Sequence, residues 1–136
     1  MQVAHVAIWT PNLERLRAFY EQFFDATAGV KYVNAARRFE SYFLQLGVGA
    51  RLELMHQPSI NGAGTWVPAG VPAPAAERVG YAHVAFALGS RERVVEMTER
   101  LRGAGYPVVG APRVTGDGYF ESVVLDPDGN RIELTV

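Results

Sequence analysis

The first half of the chain carries two different spacings of hydrophobic residues. Apolar runs rich in Val, Ile and Leu predict strands near residues 3–9, 39–46 and 50–57, and a less regular run predicts another near 30–34. After the first strand, apolar residues recur every three or four positions, which predicts a helix that buries one face. The residues of that face are Leu13, Leu16, Phe19, Tyr20 and Phe23.

The second half repeats this order. Apolar runs predict strands near residues 80–88, 107–114, 119–125 and 131–136. The segment 126–130, Asp-Pro-Asp-Gly-Asn, is typical of a turn between the last two strands. A helix is predicted between the first two strands, and its apolar face comprises Val94, Met97 and Leu101.

Helix boundaries are predicted from residues that satisfy the free backbone groups at helix ends. Thr10 followed by Pro11 predicts the start of the first helix, because threonine is favoured at the cap and proline at the first helical position. Ser90 is the predicted cap of the second helix. That helix is expected to end at Gly103 or Gly105, because glycine readily adopts the left-handed conformation that follows many helices.

Three short segments of the first half recur in the second half in the same order. Their offsets are 78, 81 and 80 residues, so the matches lie nearly in one register. The pairs are Ala4-His5-Val6-Ala7 with Ala82-His83-Val84-Ala85, Phe39-Glu40-Ser41 with Phe120-Glu121-Ser122, and Leu52-Glu53-Leu54 with Ile132-Glu133-Leu134. We therefore predict one α+β domain of two βαβββ modules, at about residues 1–57 and 80–136, joined by a Pro- and Gly-rich linker at 58–79.

Strand alternation places four ionisable side chains on the sheet faces that the helices leave uncovered. In the first module, His5 and Glu53 alternate with apolar positions that the helix should cover. His83 and Glu133 repeat this arrangement in the second module. A carboxylate flanked by apolar residues is costly to bury unless it is paired or bound to a cation. Two imidazoles and two carboxylates at equivalent positions therefore predict a divalent metal site.

The absence of cysteine narrows the choice of metal. With no cysteine in the sequence, thiolate sites, disulfides and cysteine nucleophiles are excluded. One divalent ion held by His, Glu and water would be Ni, Zn, Co, Mn or Fe, because these ions accept imidazole and carboxylate ligands and leave positions open for substrate.

Charge and hydropathy exclude several partners. A formal net charge of −1 gives no electrostatic reason to expect nucleic acid or an anionic membrane surface. No run approaches the ~20 apolar residues of a membrane span. The first residues lack the basic segment and apolar core of a secretory signal, so we expect a cytoplasmic protein that acts on a small molecule.

The complete pattern resembles the glyoxalase, bleomycin-resistance and dioxygenase superfamily, also called the vicinal oxygen chelate proteins. The resemblance covers essentially the whole chain. It is carried by the strands with His5, Glu53 and His83, by Phe19-Tyr20 in the first helix, and by the ending Asp126-Pro127-Asp128-Gly129-Asn130-Arg131-Ile132-Glu133-Leu134. It implies a glyoxalase-like fold in which the two βαβββ modules form a half-barrel cup around a metal ion.

The order of the four ligands is similar to one branch of this superfamily. The His5, Glu53, His83 and Glu133 set resembles that of glyoxalase I (lactoylglutathione lyase). The family's dioxygenases use two His and one Glu on Fe(II), its epimerases carry Gln where this chain has Glu53, and its bleomycin-binding members lack the metal ligands. The resemblance implies a lyase or isomerase acting on a 2-oxoaldehyde–thiol hemithioacetal or a similar vicinal-oxygen substrate. Another metalloenzyme of the superfamily, or a binding or resistance protein without catalysis, is the alternative.

Strand alternation also predicts which residues line the substrate site. They are Trp9, Phe43, Met55 and Gln57. Trp9 stands where glyoxalase I has an arginine that serves glutathione, and Gln57 stands where it has asparagine, so another thiol or another vicinal dioxygen compound remains open. His56 alternates to the other face and is not expected to be a ligand. Arg37 and Arg113 are candidates for binding an anionic substrate.

The resemblance further implies roles and an assembly. Glu133 is expected to be the main general base, with Glu53 as its counterpart. The protein is expected to be a homodimer in which His5 and Glu53 of one chain face His83 and Glu133 of the other. The linker could instead let both modules complete one cup within a single chain.

Overall fold

The protein is described here by a computed structural model that covers residues 3–59, 82–116 and 118–136. The chain divides into two compact units, Met1–Thr65 and Trp66–Val136. Of the predicted linker at 58–79, only residues 58 and 59 lie within the described ranges. Neither helix in these ranges is long and apolar enough to span a membrane.

The first unit is one mixed sheet covered on one face by a helix. Its elements are β1 (His5–Trp9), α1 (Leu13–Phe24), β2 (Thr27–Ala28), β3 (Tyr32–Asn34), a 3-10 turn (Ala35–Arg37), β4 (Phe39–Gln45) and β5 (Arg51–His56). The strand order is β1-β5-β4-β2, and β3 also pairs with β4. β1 runs parallel to β5, whereas β4 and β5 form an antiparallel hairpin. The strand predicted near 30–34 is β3, and β2 is a further short strand that also pairs with β4.

The second unit repeats this topology. Its elements are β6 (Val84–Ala87), α2 (Arg91–Gly103), β7 (Val108–Val114), β8 (Phe120–Leu125) and β9 (Arg131–Thr135). The strand order is β6-β9-β8-β7, with β6 parallel to β9 and antiparallel pairing elsewhere. The predicted α+β architecture of two βαβββ modules is confirmed.

Each core lies between a helix and one face of its sheet. In the first unit α1 packs on β4 and β5, where Leu52 and Leu54 are 2% and 0% exposed. All five residues of the predicted helix stripe are buried. In the second unit Val94 and Leu101 are buried as predicted, but the third buried residue of α2 is Thr98 rather than Met97.

A hydroxyl pair makes the burial of Thr98 possible. The Thr98 Oγ1 atom donates to the Val94 carbonyl oxygen at 2.6 Å and lies 2.6 Å from Ser122 Oγ on β8. Both hydroxyls are therefore satisfied in an apolar setting, where an unpaired one would be costly. Ser122 is thereby placed on the helix-covered face of the second sheet.

The first helix begins later than the sequence predicts. Its cap is Asn12, whose Oδ1 atom accepts from the Arg15 backbone N–H at 3.0 Å. The prediction of Thr10 as the cap is wrong, because the Thr10 hydroxyl accepts from the Asn12 N–H at 3.1 Å and so orders the turn before the helix. The second helix begins after Ser90 as predicted.

The turn between β8 and β9 is organised by a buried carboxylate. Asp126 is 2% exposed, and its Oδ1 atom accepts from the backbone N–H groups of Asp128 at 2.9 Å and Asn130 at 2.8 Å. Its Oδ2 atom accepts from the Asn130 side-chain amide at 2.8 Å. Burial raises the pKa of Asp126 to about 6, even though these hydrogen bonds act in the opposite direction.

This raised pKa predicts a pH dependence of stability. Because the folded protein binds the Asp126 proton more tightly than the unfolded chain, the resulting stabilisation is complete below pH ~4 and is lost as the pH rises through about 6. Relative to Asp126→Asn, the free energy of unfolding of the wild type should fall by up to about 3 kcal/mol between pH 4 and pH 7. Urea unfolding of both proteins across this range measures the difference.

Asp25→Asn provides the control for this measurement. Asp25 is an exposed aspartate that follows α1 in the left-handed conformation, which asparagine also tolerates. Its removal should not reproduce the change with pH. A wild-type advantage over Asp126→Asn that grows with rising pH would contradict the assignment.

Candidate metal centre

The first sheet brings one histidine and one glutamate together. Parallel pairing of β1 and β5 sets Ala7 opposite Glu53, and it sets His5 opposite Arg51. Because the leucines on either side of Glu53 are buried under α1, the Glu53 carboxylate points to the uncovered face. There His5 Nε2 lies 3.7 Å from Glu53 Oε2, with the two side chains 42% and 15% exposed.

Phe43 forms the apolar wall of this first pair. It is the cross-strand neighbour of Glu53 on β4, and its ring meets the His5 ring edge-on at a centroid distance of 5.3 Å. The Arg51 guanidinium lies over the same Phe43 ring, 4.3 Å from its centroid. The His5 imidazole therefore contacts both the Glu53 carboxylate and the Phe43 ring.

The second sheet holds an equivalent pair. Parallel pairing of β6 and β9 sets Ala85 opposite Glu133, and His83 lies one residue before β6. His83 Nε2 lies 3.4 Å from Glu133 Oε2, with side chains 44% and 18% exposed. Each unit thus presents one imidazole nitrogen and one carboxylate oxygen on its uncovered face.

Glu121 is a functional neighbour that the sequence analysis missed. Ser122 faces α2, so Glu121 on β8 points to the uncovered face, where its carboxylate contacts that of Glu133. Arg113 on β7 holds Glu121 through an ion pair of 3.0 Å. Strand alternation along β8 would have identified this glutamate.

The surroundings of Glu133 change its acidity. Burial raises the pKa of Glu133, and the negative charge of Glu121 raises this pKa further. The nearby charges of His83 and Arg113 act in the opposite direction without cancelling the effect. Glu133 therefore holds a proton at a higher pH than an exposed glutamate does.

The repeated Phe-Glu-Ser segment is not structurally equivalent in the two units. Phe43 pairs with Glu53 and Val123 pairs with Glu133, so the β4 and β8 strands correspond at an offset of 80 residues rather than 81. Glu40 lies on the helix side of its sheet, where Lys31 pairs with it at 2.9 Å. Because a shift of one residue along a strand moves a side chain to the opposite face, Glu40 faces the helix whereas Glu121 faces the uncovered side of its sheet.

The remaining predicted lining residues lie along the far end of the first sheet. Trp9 pairs with Met55 across β1 and β5, is 43% exposed, and meets Phe39 edge-on at 6.0 Å. Gln57 follows the end of β5, and its amide donates to Ser59 Oγ at 2.8 Å. These residues share the first unit with the His5–Glu53 pair.

His56 lies away from both pairs. It is the cross-strand neighbour of Glu40 on the helix side of the sheet. Its Nδ1 atom lies 2.9 Å from the Thr10 carbonyl oxygen, which can only accept a hydrogen bond, so Nδ1 carries the proton. Of the two arginines predicted as anion-binding candidates, Arg113 pairs with Glu121, and Arg37 lies in the exposed 3-10 turn.

The predicted metal ligands form two His–Glu pairs, one in each unit. Within residues 3–59, 82–116 and 118–136, no group of three or more His, Asp or Glu side chains is close enough to hold a metal ion. The separations of 3.4 and 3.7 Å within the pairs are near the distance between two ligands of one metal. Two donors about 2.1 Å from a zinc ion at a tetrahedral angle lie about 3.4 Å apart.

A family model described as the Glyoxalase/Bleomycin resistance protein/Dioxygenase superfamily matches residues 2–134. Among curated proteins, an uncharacterized protein, YqjT of Bacillus subtilis (strain 168), is 40% identical over 60 residues. That match spans 42% of this chain and 47% of the relative, so it covers less than half of either protein.

Solved structures share the fold at low sequence identity. A glyoxylase/bleomycin resistance protein/dioxygenase domain from Frankia sp. EAN1pec is similar with a TM-score of 0.78 and 17% identity, covering 100% of this chain and 97% of that one. The trypanothione-dependent glyoxalase I of Leishmania major is similar with a TM-score of 0.71 and 22% identity, covering 99% and 86%. At these identities the likeness shows the fold.

The contact between Glu121 and Glu133 generates a prediction for metal-free protein. Glu121→Gln should lower the pKa of Glu133, because the variant removes the neighbouring negative charge and leaves Arg113 without its partner. Carbon-detected NMR titration of the Glu133 carboxyl group, after treatment with a chelator, measures this shift. The control is Glu40→Gln, which removes a glutamate charge from the helix side of the first sheet and should leave the pKa of Glu133 unchanged. A higher pKa of Glu133 in Glu121→Gln would contradict the argument.

Proposed function

Because the chain belongs to the Glyoxalase/Bleomycin resistance protein/Dioxygenase superfamily, we propose that it is a divalent-metal-dependent lyase or isomerase of the glyoxalase I type. Members of this superfamily often bind metal. The substrate is a 2-oxoaldehyde–thiol hemithioacetal or another compound with two neighbouring oxygens. Lactoyl-thioester formation is the reaction proposed for the hemithioacetal.

The observation that carries this proposal is the presence of a His–Glu pair on the uncovered face of each sheet. His5 and Glu53 supply one nitrogen and one oxygen donor at 3.7 Å, and His83 and Glu133 supply another two at 3.4 Å. The donor types and the separation within each pair fit two ligands of one divalent ion, from among Ni, Zn, Co, Mn and Fe, and we propose that both pairs share one such ion. Both carboxylates are mostly buried, which favours a bound cation over water as their partner.

The protein's own residues would bind and move protons. A bound metal would act as a Lewis acid toward two neighbouring substrate oxygens. Glu133 would take the proton from the substrate carbon as the main general base. Glu133, or its counterpart Glu53 after the proton has passed to it, would return that proton to the adjacent carbon. The Phe43 ring beside Glu53 would exclude water from this side.

The thiol is proposed to differ from glutathione. Trp9 stands where the glyoxalase I resemblance places an arginine, and an uncharged indole cannot form an ion pair with a carboxylate. The trypanothione-dependent glyoxalase I of Leishmania major, which has this fold, supports the proposal of a thiol other than glutathione. The exposed Trp9 also suits an apolar ligand, so binding without catalysis is the second candidate. Retention of metal together with turnover separates the two.

We propose a homodimer in which each metal is held by both chains. The self-complementary arrangement pairs the first unit of one chain with the second unit of the other, and it closes under two-fold symmetry. Each shared site would then contain His5 and Glu53 from one chain and His83 and Glu133 from its partner. A site completed within one chain is the competing arrangement.

Metal retention and turnover, measured on the same variants, test the proposed function. His5→Ala and Glu133→Ala should each abolish metal retention, because each removes one of four donors, whereas His56→Ala should retain metal as the wild type does. Metal content of purified, dialysed protein measures this. Metal-loaded wild type and His56→Ala should convert methylglyoxal with a panel of thiols to thioesters, followed by absorbance, and His5→Ala should not.

We expect the thiols of this panel to be used with different efficiencies. Glutathione should be used at least about tenfold less efficiently than the best thiol, since a missing charge-assisted hydrogen bond costs about 1.5–3 kcal/mol.

Metal loss in His56→Ala but not in His5→Ala would contradict the proposed metal site. Full metal retention without turnover of any hemithioacetal would favour another metalloenzyme of the superfamily, whereas failure of the wild type to retain metal would favour the binding protein.

Mixing two inactive variants tests the shared site. If His5→Ala and Glu133→Ala chains are unfolded, combined and refolded, both defects of a swapped heterodimer fall in one site and the other site regains all four ligands. Metal binding and activity should then return in about half of the sites of each heterodimer, on the geometry of a two-fold dimer. Isolated heterodimers that recover neither would refute sharing between chains.

A further inference from the structure

Arg51 is a cation on the uncovered face of the first sheet that the proposed reaction does not use. It begins β5 directly across from His5 on β1, and it shares its strand face with Glu53. Its guanidinium lies 4.3 Å from the centroid of the Phe43 ring, and that ring meets the His5 ring edge-on at 5.3 Å. The cation therefore belongs to the immediate surroundings of the His5–Glu53 pair.

The geometry leaves the hydrogen-bond donors of Arg51 available. Stacking on an aromatic ring uses the face of the planar guanidinium, whereas its five N–H groups point outward in the plane. Among residues 3–59, no carboxylate lies within ion-pair distance of Arg51, although Arg17 in the same unit pairs with two glutamates. The Arg51 side chain is exposed. A fork of donors with no carboxylate partner among the described residues of its unit is suited to a carboxylate from outside the protein.

We propose that Arg51 is a specificity-determining residue that binds a carboxylate of the substrate beside the His5–Glu53 pair. The inference rests on the proposed function and names its substrate class. The substrate bears a carboxylate only a few bonds from its two neighbouring oxygens, because Arg51 is the cross-strand neighbour of His5. A hemithioacetal formed with a short carboxylate-bearing thiol has this shape.

The position of Arg51 along the sheet separates it from the site of Trp9. The β1–β5 register runs from the His5 and Arg51 pair to the Trp9 and Met55 pair, four residues further on. At a rise of about 3.3 Å per residue, the two levels are roughly 13 Å apart along the strands. An anion held by Arg51 thus approaches from the end of the sheet opposite Trp9.

The other arginines considered are less suited to this role. Arg113 already pairs with Glu121 at 3.0 Å, so an incoming carboxylate would compete with an internal one. Arg37 is exposed in the 3-10 turn and makes no described contact with His5 or Glu53. It therefore provides a control in which the same charge is removed away from the pair.

Two hydroxamates test the proposal by binding rather than turnover. Hydroxamates present two neighbouring oxygens, and the probes are acetohydroxamate, which is otherwise neutral, and the monohydroxamate of succinate, which adds a carboxylate. Calorimetric titration of the zinc-loaded protein should show about ten- to a hundredfold tighter binding of the succinate probe. Arg51→Gln should abolish this preference while it leaves acetohydroxamate binding and metal content unchanged.

Two further variants sharpen the comparison. Arg51→Lys should retain only part of the preference, because an ammonium group keeps the charge but lacks the planar fork. Arg37→Gln should keep the full preference. Equal binding of the two probes to the wild type, or a preference that survives Arg51→Gln, would overturn the role of Arg51 and leave the proposed function standing. Failure of the metal-loaded wild type to bind either hydroxamate would overturn the proposed function, and the role of Arg51 with it.

Discussion

Burial of one face of each sheet beneath a helix decides where the side chains of both His–Glu pairs lie. Leu52 and Leu54 must face α1 to be buried, and the two-residue period of a strand then turns Glu53 to the other face. Ile132 and Leu134 impose the same orientation on Glu133. A shift of register by one residue would expose these apolar side chains and bury the carboxylate, so core packing and the site are secured by one constraint.

The parts of the molecule that follow from local periodicity could be predicted from the sequence. The strands, the helices and the faces of Glu53 and Glu133 belong to this class. The start of α1 could not be assigned, because Thr10 and Asn12 both carry a suitable acceptor and only the backbone path decides between them. The ion pair between Arg113 and Glu121 was beyond prediction as well, since two register irregularities in β7 determine where Arg113 lies.

Gly110 shows how such a non-local contact is built. A Cβ atom at this position would lie 2.9 Å from the Arg113 Nη1 atom and 3.3 Å from the Cβ of Val123. The missing side chain leaves room for the guanidinium to lie along the sheet toward Glu121. The contact therefore depends on a residue with no side chain, two irregularities and a partner on another strand, and no local pattern contains all of these.

The two units carry the same donor pair in different surroundings, and the difference matches the two roles proposed for them. The neighbour of Glu53 on the central strand is Phe43, which with Arg51 forms the aromatic and cationic surface proposed to recognise a ligand. In the second unit, Glu121 occupies the position that Ser41 has in the first unit, and its negative charge raises the pKa of Glu133. Recognition requires donors left open to a ligand, whereas proton transfer requires a carboxylate whose acidity is set by fixed neighbours. A repeat with identical surroundings in both halves could meet only one of these requirements, so divergence around a common pair would allow the proposed shared site to meet both.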